Sequence, residues 1–260
     1  FPTRRSSDLS VQQYELKNRL LVPGFSNGIS KNISYRTTFS RSSIFDPIFP
    51  KTGSQFTFIG HFTPPYSFFN KKDYSTMTLN QKYEWLEYFK IKLNGTWYAN
   101  PFADLVIKTQ SAFGFLMNYN SEVGLPPFER FFVGGDGLMG FNMDGREVIG
   151  LRGYANNSLS QHLTAGGIIY SKYTLELRYP LSLNPSSTIY ATGFAEAGNA
   201  WGSFSDFNPF QVKRSLGFGI RIFMPMFGLL GFDFAHGYDP IPGATQKSGW
   251  QTHFSIGQQF

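Results

Sequence analysis

Apolar and polar residues alternate with a period of two along most of the chain, the pattern of strands with one face in an apolar medium. From Gln13 to Leu20, the apolar face holds Tyr14, Leu16 and Leu20, opposite Gln13, Glu15, Lys17 and Arg19. Asn32–Arg41 sets Ile33, Tyr35 and Phe39 against Ser34, Arg36, Thr38 and Ser40. After a turn at Phe49-Pro50-Lys51-Thr52-Gly53, Ser54–Phe62 sets Phe56, Phe58 and Phe62 against Gln55, Thr57 and His61. Thr63–Gln81 is polar and predicts a loop. Tyr88–Ala99 resumes with Phe89, Ile91, Leu93 and Trp97 outward, and Asn100-Pro101 predicts a tight turn into Asp104–Leu116.

The same alternation returns in Ile168–Tyr179, where Tyr173, Leu175, Leu177 and Tyr179 oppose Lys172, Thr174, Glu176 and Arg178. It continues through Thr188–Trp201, Arg214–Met224, Gly228–Tyr238 and Trp250–Phe260, giving ten predicted strands. In Trp250–Phe260, Phe254, Ile256 and Phe260 share the apolar face. Most of these stretches approach the roughly 9–11 residues that cross a bilayer at a tilt. Short and long connections alternate, which is the habit of outer-membrane barrels. The predicted fold is therefore all-β, an antiparallel transmembrane β-barrel.

Composition agrees with that reading. Aromatic residues make up 18% of the 260 and charged residues 15%, while the mean hydropathy is only −0.22. Strands that are apolar on one side and wet on the other give this combination. No apolar run reaches the length of a membrane helix, so any spanning element must be a strand of a closed barrel. The formal charge of +6 is scattered, which speaks against nucleic acid as a partner. There is no cysteine, hence no disulfide and no thiolate metal site. Residues 1–10 lack the apolar core of a signal peptide. Their sequence FPTRRSSDL resembles translated adaptor sequence and is expected to be a non-native scar or disordered, with the barrel domain at 11–260.

The longest connection, 117–167, contains an unusual stretch. Seven of the 26 residues in Glu129–Tyr154 are glycine, and it ends on Leu151-Arg152-Gly153-Tyr154. Glycine at this density permits positive φ and close backbone packing. If the apolar strand faces meet lipid, Glu176 and Glu196 point into the lumen from consecutive strands about 5 Å apart. One arginine fork suits such a pair of carboxylates. Arg152 is the candidate, with the loop folded inward.

At this point the sequence resembles the C-terminal barrel of the outer-membrane protein assembly factor BamA family. Phe49–Ser54 is similar to the family's F-P-x-x-G-S turn, Phe128–Gly135 to its F-x-x-F-x-x-G-G segment, and Leu151–Tyr154 to its R-G-(F/Y) loop tip. Tyr173–Pro180, Gly193–Trp201 and Ser215–Pro225 resemble its L-E, F-x-[DE]-x-G-x-x-W and S-x-G-x-G strands. Phe254–Phe260 resembles its F-x-I-G-x-x-[FW] terminus. The loop wording is most similar to Bacteroidota-type members.

The resemblance implies a barrel of about 16 strands preceded by periplasmic POTRA domains, of which this chain holds the C-terminal ten or so, as if N-terminally truncated. It implies insertion of other barrel proteins into the outer membrane of a Gram-negative bacterium, with no bond made or broken and no cofactor. The loop anchor would be Arg152, Gly153 and Tyr154, with Glu176 and Glu196 as partners. The terminal strand and seam would involve Phe254, Ile256, Gly257 and Phe260, where client strands pair by β-augmentation. Expected partners are the lipid bilayer, unfolded outer-membrane protein clients and accessory assembly lipoproteins reached through the periplasmic domains.

Three other readings stay open. TamA-like and two-partner-secretion polypeptide transporters share the R-G motif. A passive porin also has alternating strands and an inward loop. A complete ten-stranded enzyme barrel needs a catalytic set. Asp233 and His236 are of opposite parity, and His253 and Ser255 share a face without a third group. Asp136 and Asp144 lack the D-x-D-x-D-G spacing of a calcium loop, and the glycines lack the G-K-[ST] of a phosphate cradle.

Overall fold

The computed structural model describes residues 3–17, 25–137, 146–160, 163, 166–184, 187–226 and 228–257. The strands are β1 (Thr3–Leu16), β2 (Gly28–Ser42), β3 (Gly53–Phe62), β4 (Phe89–Phe102) and β5 (Leu105–Met117). Two three-residue strands follow inside the long loop, β6 (Phe131–Val133) and β7 (Glu147–Ile149). Then come β8 (Ile169–Asn184), β9 (Ser187–Trp201), β10 (Lys213–Met224), β11 (Gly228–Pro240) and β12 (Lys247–Ile256). All but β6 and β7 form one ten-stranded antiparallel sheet in chain order, with β1 and β12 at its two edges.

The sheet carries its apolar side chains outward. On β8, Leu175, Leu177, Tyr179, Leu181 and Leu183 are exposed, while Lys172, Thr174, Glu176 and Arg178 between them are buried. Phe218 on β10, Phe232 and Phe234 on β11, and Phe254 and Ile256 on β12 are exposed too. An apolar ladder across adjacent strands is a surface for lipid rather than water. No helix among the described residues is long and apolar enough to cross a membrane. Connections at one end are short, such as Ala103-Asp104 between β4 and β5. Those at the other end include 63–88 and 118–168, and long loops mark the extracellular side of such barrels.

The core of the molecule is the long loop packed against the inner wall. Phe128, Phe131, Val133, Leu151 and Tyr154 of the loop cluster with Leu116, Ile169, Tyr170 and Trp201 of the strands. β6 and β7 pair in parallel, and Leu151 exchanges backbone hydrogen bonds with Gly135. A smaller cluster closes the short-turn end: Phe49 of the 43–52 connection packs on Tyr190, beside Tyr98, Val106 and Leu229.

Four expectations are corrected. Of the two expectations for residues 1–10, disorder does not hold for residues 3–10, which form the first half of β1 and pair in register with β2. Strand pairing uses backbone groups that every residue type but proline carries in full, so an atypical sequence does not prevent it. The outward face assigned to Tyr14 and Leu16 is reversed. Tyr14 stacks on Phe128 at 4.4 Å and Leu16 is buried in the core, because the inward loop offers an apolar surface that alternation alone does not reveal. Arg19 and Leu20 lie outside the described residues. The β4–β5 turn falls at Ala103-Asp104, not Asn100-Pro101; the Asn100 amide donates to the carbonyls of Ala103 and Leu105 and extends the hairpin. Finally, β12 stops at Ile256, and Gly257 takes φ +67° while its N–H donates to Leu229 O. Phe260 lies outside the described residues.

Candidate functional site

The loop tip sits against β8 to β12, and Arg152 is fully buried there. Its guanidinium Nη2 lies 2.8 Å from Glu196 Oε1 and 3.2 Å from Glu176 Oε2, and Nη1 lies 3.4 Å from Asp233 Oδ2. The Arg152 backbone N–H donates to Glu196 Oε2 at 2.8 Å. The guanidinium carbon is 3.4 Å from the centroid of the Phe194 ring, which stacks on it as a cation–π partner. Burial disfavours the arginine's charge, but Glu196, Glu176 and Asp233 overcome that and hold its pKa above the ordinary value. A permanently charged, planar donor is what three buried carboxylates require.

The acids are themselves held by other cations. Arg178 Nε lies 2.6 Å from Glu176 Oε1, and Lys172 Nζ lies 3.3 Å from Glu196 Oε1. Arg221 makes a two-pronged pair with Asp233, both contacts 2.8 Å. Glycines make room for this network. A Cβ on Gly219 would sit 1.9 Å from Asp233 Oδ1, and one on Gly217 would sit 2.6 Å from the Phe194 ring. The bare S-x-G-x-G wall of β10 is therefore the space into which its neighbours' acid and aromatic side chains lean.

Gly153 makes the closest approach of loop to wall. Its φ is +87°, and an added Cβ would be 2.7 Å from Ser215 Cβ and 3.1 Å from Gly237 N. Its N–H donates to His253 Nε2 on β12 at 2.8 Å. That nitrogen must be unprotonated to accept, so the ring proton sits on Nδ1 and faces Asp136 of the loop. Tyr154 donates through its hydroxyl to Arg214 O at 2.8 Å.

A second attachment lies near the loop's entry. Lys90 of β4 is buried, with its Nζ 3.2 Å from Glu129 and 2.7 Å from Glu147. Lys92 reaches Glu147 at 2.8 Å, and the Tyr14 hydroxyl donates to Glu129 at 2.9 Å. The loop thus bonds to strands on both sides of the sheet, from β1 to β12.

The structure brings together all three predicted tip residues and both predicted acids. Phe254 and Ile256 lie on the outer face of β12, away from the tip. Asp233, Arg178, Arg221, Lys172 and His253 were missed as partners. Their inward parity was visible, but parity does not say which strands the loop tip reaches. Asp233 and His236 do diverge, as their spacing predicts. His253 does have a third group, Asp136, yet its free nitrogen is spent on the loop backbone rather than on a nucleophile. Among the described residues no group of histidines and acids has the arrangement of a metal site.

The sequence profile of the Omp85 superfamily domain matches residues 5–260. The chain belongs to the Omp85 superfamily. No match was found among curated proteins. Among solved structures, BamA from Haemophilus ducreyi lacking POTRA domains 1–3 is similar with a TM-score of 0.61 and 18% identity, over 90% of this chain and 44% of that one. At that identity the likeness is one of fold. The chain spans less than half the length of that protein. Its sheet is thus a barrel domain of the Omp85 type, a family of outer-membrane barrels, with the buried Arg152 tip packed against β8 to β12.

Proposed function

We propose that this Omp85 domain folds and inserts β-barrel proteins into the outer membrane through a lateral seam at β12. The observation that carries the reading is the hydrogen bond from Gly153 to His253: the pinned loop tip is tied directly to the inner face of β12. A strand whose inner face is fixed by a buried anchor holds its backbone in place as a template on which an incoming strand can add. The partners are then the bilayer, unfolded outer-membrane clients and accessory lipoproteins docked on periplasmic domains. The work is done by strand exchange, without bond chemistry or a cofactor.

The test uses the natural full-length protein in liposomes with a urea-unfolded client barrel. Insertion, read as a heat-modifiable gel shift, is expected to exceed that of protein-free liposomes several-fold and to fall toward background in Glu196→Lys. Client delivered into the vesicle interior instead of the membrane would favour polypeptide transport, as in TamA-like or two-partner-secretion proteins. A large steady conductance unaffected by Arg152→Ala, without insertion, would favour a porin.

A further inference from the structure

The 63–88 connection is more than a link between β3 and β4. It carries two one-turn helices, α1 (Tyr66–Phe69) and α2 (Leu79–Lys82), and is pinned at several points. The buried Glu87 carboxylate accepts the Ser67 backbone N–H and the Ser67 hydroxyl, each at 2.7 Å. Lys31 of β2 donates its backbone N–H to Glu84 O and accepts from the Leu86 N–H. Gln81 Oε1 accepts from the Thr78 N–H at 3.0 Å.

Between this connection and β2 lies a cavity of about 620 Å³. Part of its wall is apolar, formed by Ile33, Phe69, Met77 and Trp85, and Tyr66 packs on Trp85 with ring centroids 5.5 Å apart. Ile33 belongs to the β2 face of the exposed Ile29 and Tyr35, opposite the buried Ser30, Asn32 and Ser34. That is the face turned toward lipid, and the connection is at the long-loop end of the sheet. Phe68 and Phe69 are exposed beside it, where barrels carry their aromatic girdle.

The rest of the wall is charged. Lys72, Lys82 and Glu84 line the same cavity. Glu84 is offset by Lys31, 3.9 Å away, whose Nζ also lies 5.1 Å from the centre of the Trp85 ring. The Lys72 ammonium makes no hydrogen bond or ion pair among the described residues. Lys82 Nζ donates to Glu122 O at 2.8 Å, a neutral acceptor that leaves its charge uncompensated. Asp73, next to Lys72, spends Oδ1 on the backbone N–H and hydroxyl of Ser75. A solvated lysine is worth little by itself. These two share a preformed cavity whose other wall continues the lipid-facing surface.

We propose that this cavity binds the phosphate-bearing headgroup of an outer-leaflet lipid. Lys72 and Lys82 hold the phosphate, and the start of an acyl chain lies against Ile33, Phe69 and Trp85. The two walls call for an amphipathic ligand. A free phosphate would leave the apolar wall wet, and an uncharged lipid would leave the lysines unused.

Dioleoyl phosphatidic acid is the probe. Native mass spectrometry of the natural full-length protein in detergent is expected to show one phosphatidic acid retained at collision energies that strip the others. Dioleoylglycerol, with the same chains and no phosphate, should be retained several-fold less. Lys72→Glu and Lys82→Glu change exposed side chains, so folded barrels are expected, and each should weaken retention several-fold. Lys247→Glu, exposed at the same end of the sheet but on β12, should not. Equal retention of the two lipids, an equal effect of Lys247→Glu, or no retained lipid would overturn the proposal. Displacement of the lipid by millimolar inorganic phosphate would assign the cavity to a soluble anion and overturn it too. Failure of the insertion assay above would leave this result standing, because no step here depends on a client.

Discussion

Both carboxylate oxygens of Glu196 are taken by one residue: Arg152 donates to one from its guanidinium and to the other from its backbone N–H, each at 2.8 Å. The pair is therefore partly a side-chain and partly a main-chain contact. Arg152→Lys keeps the main-chain half but cannot span Glu196, Glu176 and Asp233 at once. Arg152→Ala leaves three buried acids without their common cation, and breaking a buried pair costs about 3–5 kcal/mol. Urea unfolding in detergent is expected to rank wild type above Arg152→Lys above Arg152→Ala.

A simple charge swap should not rescue the anchor. In Glu196→Lys with Arg152→Glu, the new glutamate would face Glu176 and Asp233, which stand 3.2 and 3.4 Å from the present guanidinium. The double variant is expected to insert client no better than the weaker single variant. Substantial recovery in the liposome assay would show that Glu196 alone positions the tip.

Gly219→Ala should behave like Asp233→Ala. The added methyl would displace the Asp233 carboxylate, and with it the two contacts to Arg221. The two changes act through one group, so their combined cost should fall well short of the sum. Gly217→Ala strikes Phe194 instead and is expected to add more independently. Stability measurements on the singles and doubles decide this.

Gly153→Ala places a side chain at φ +87° and within 2.7 Å of Ser215. Left-handed backbone costs an alanine about 1–2 kcal/mol before any clash is counted. The tip is expected to lift, break the bond to His253 and expose the loop to protease. Cleavage within 129–154 at a rate equal to wild type would contradict this.

The entry attachment should be acid-sensitive. Burial opposes the charge of Glu147, but Lys90 and Lys92 prevail and hold its carboxyl down to about 2. A depressed carboxylate contributes stability that is fully present above its ordinary value of 4.5. That stability is lost as the pH falls from there through about 2. Protection factors of the 128–135 amides against hydrogen exchange should fall over that window in wild type and be low and flat in Glu147→Gln.

Much of this was legible in the sequence, for a reason that also marks the limit. Alternation reports which face of a strand meets an apolar medium, so the outward Leu175, Leu177 and Tyr179 and the inward Glu176 and Arg178 could be read directly. It does not distinguish lipid outside from an apolar loop inside, and that is why Tyr14 and Leu16 were turned the wrong way. Arg152 stands out because it occupies the Leu151-Arg152-Gly153-Tyr154 tip and two inward acids await a partner. Asp233 and His253 do not, since their partners lie 81 and 100 residues away in the chain. Pairing at that range depends on how far the loop descends, and no local pattern encodes that depth.

Gly153, Arg152 and their four wall partners have a mechanical consequence. The partners come from β8, β9, β11 and β12, so a pull on the loop loads four strands in parallel rather than one after another. Single contacts rupture one by one when peeled; contacts arranged side by side must shear together. Force applied to this loop would be transmitted to the sheet as a whole, including its edge strand β12, before the tip came free.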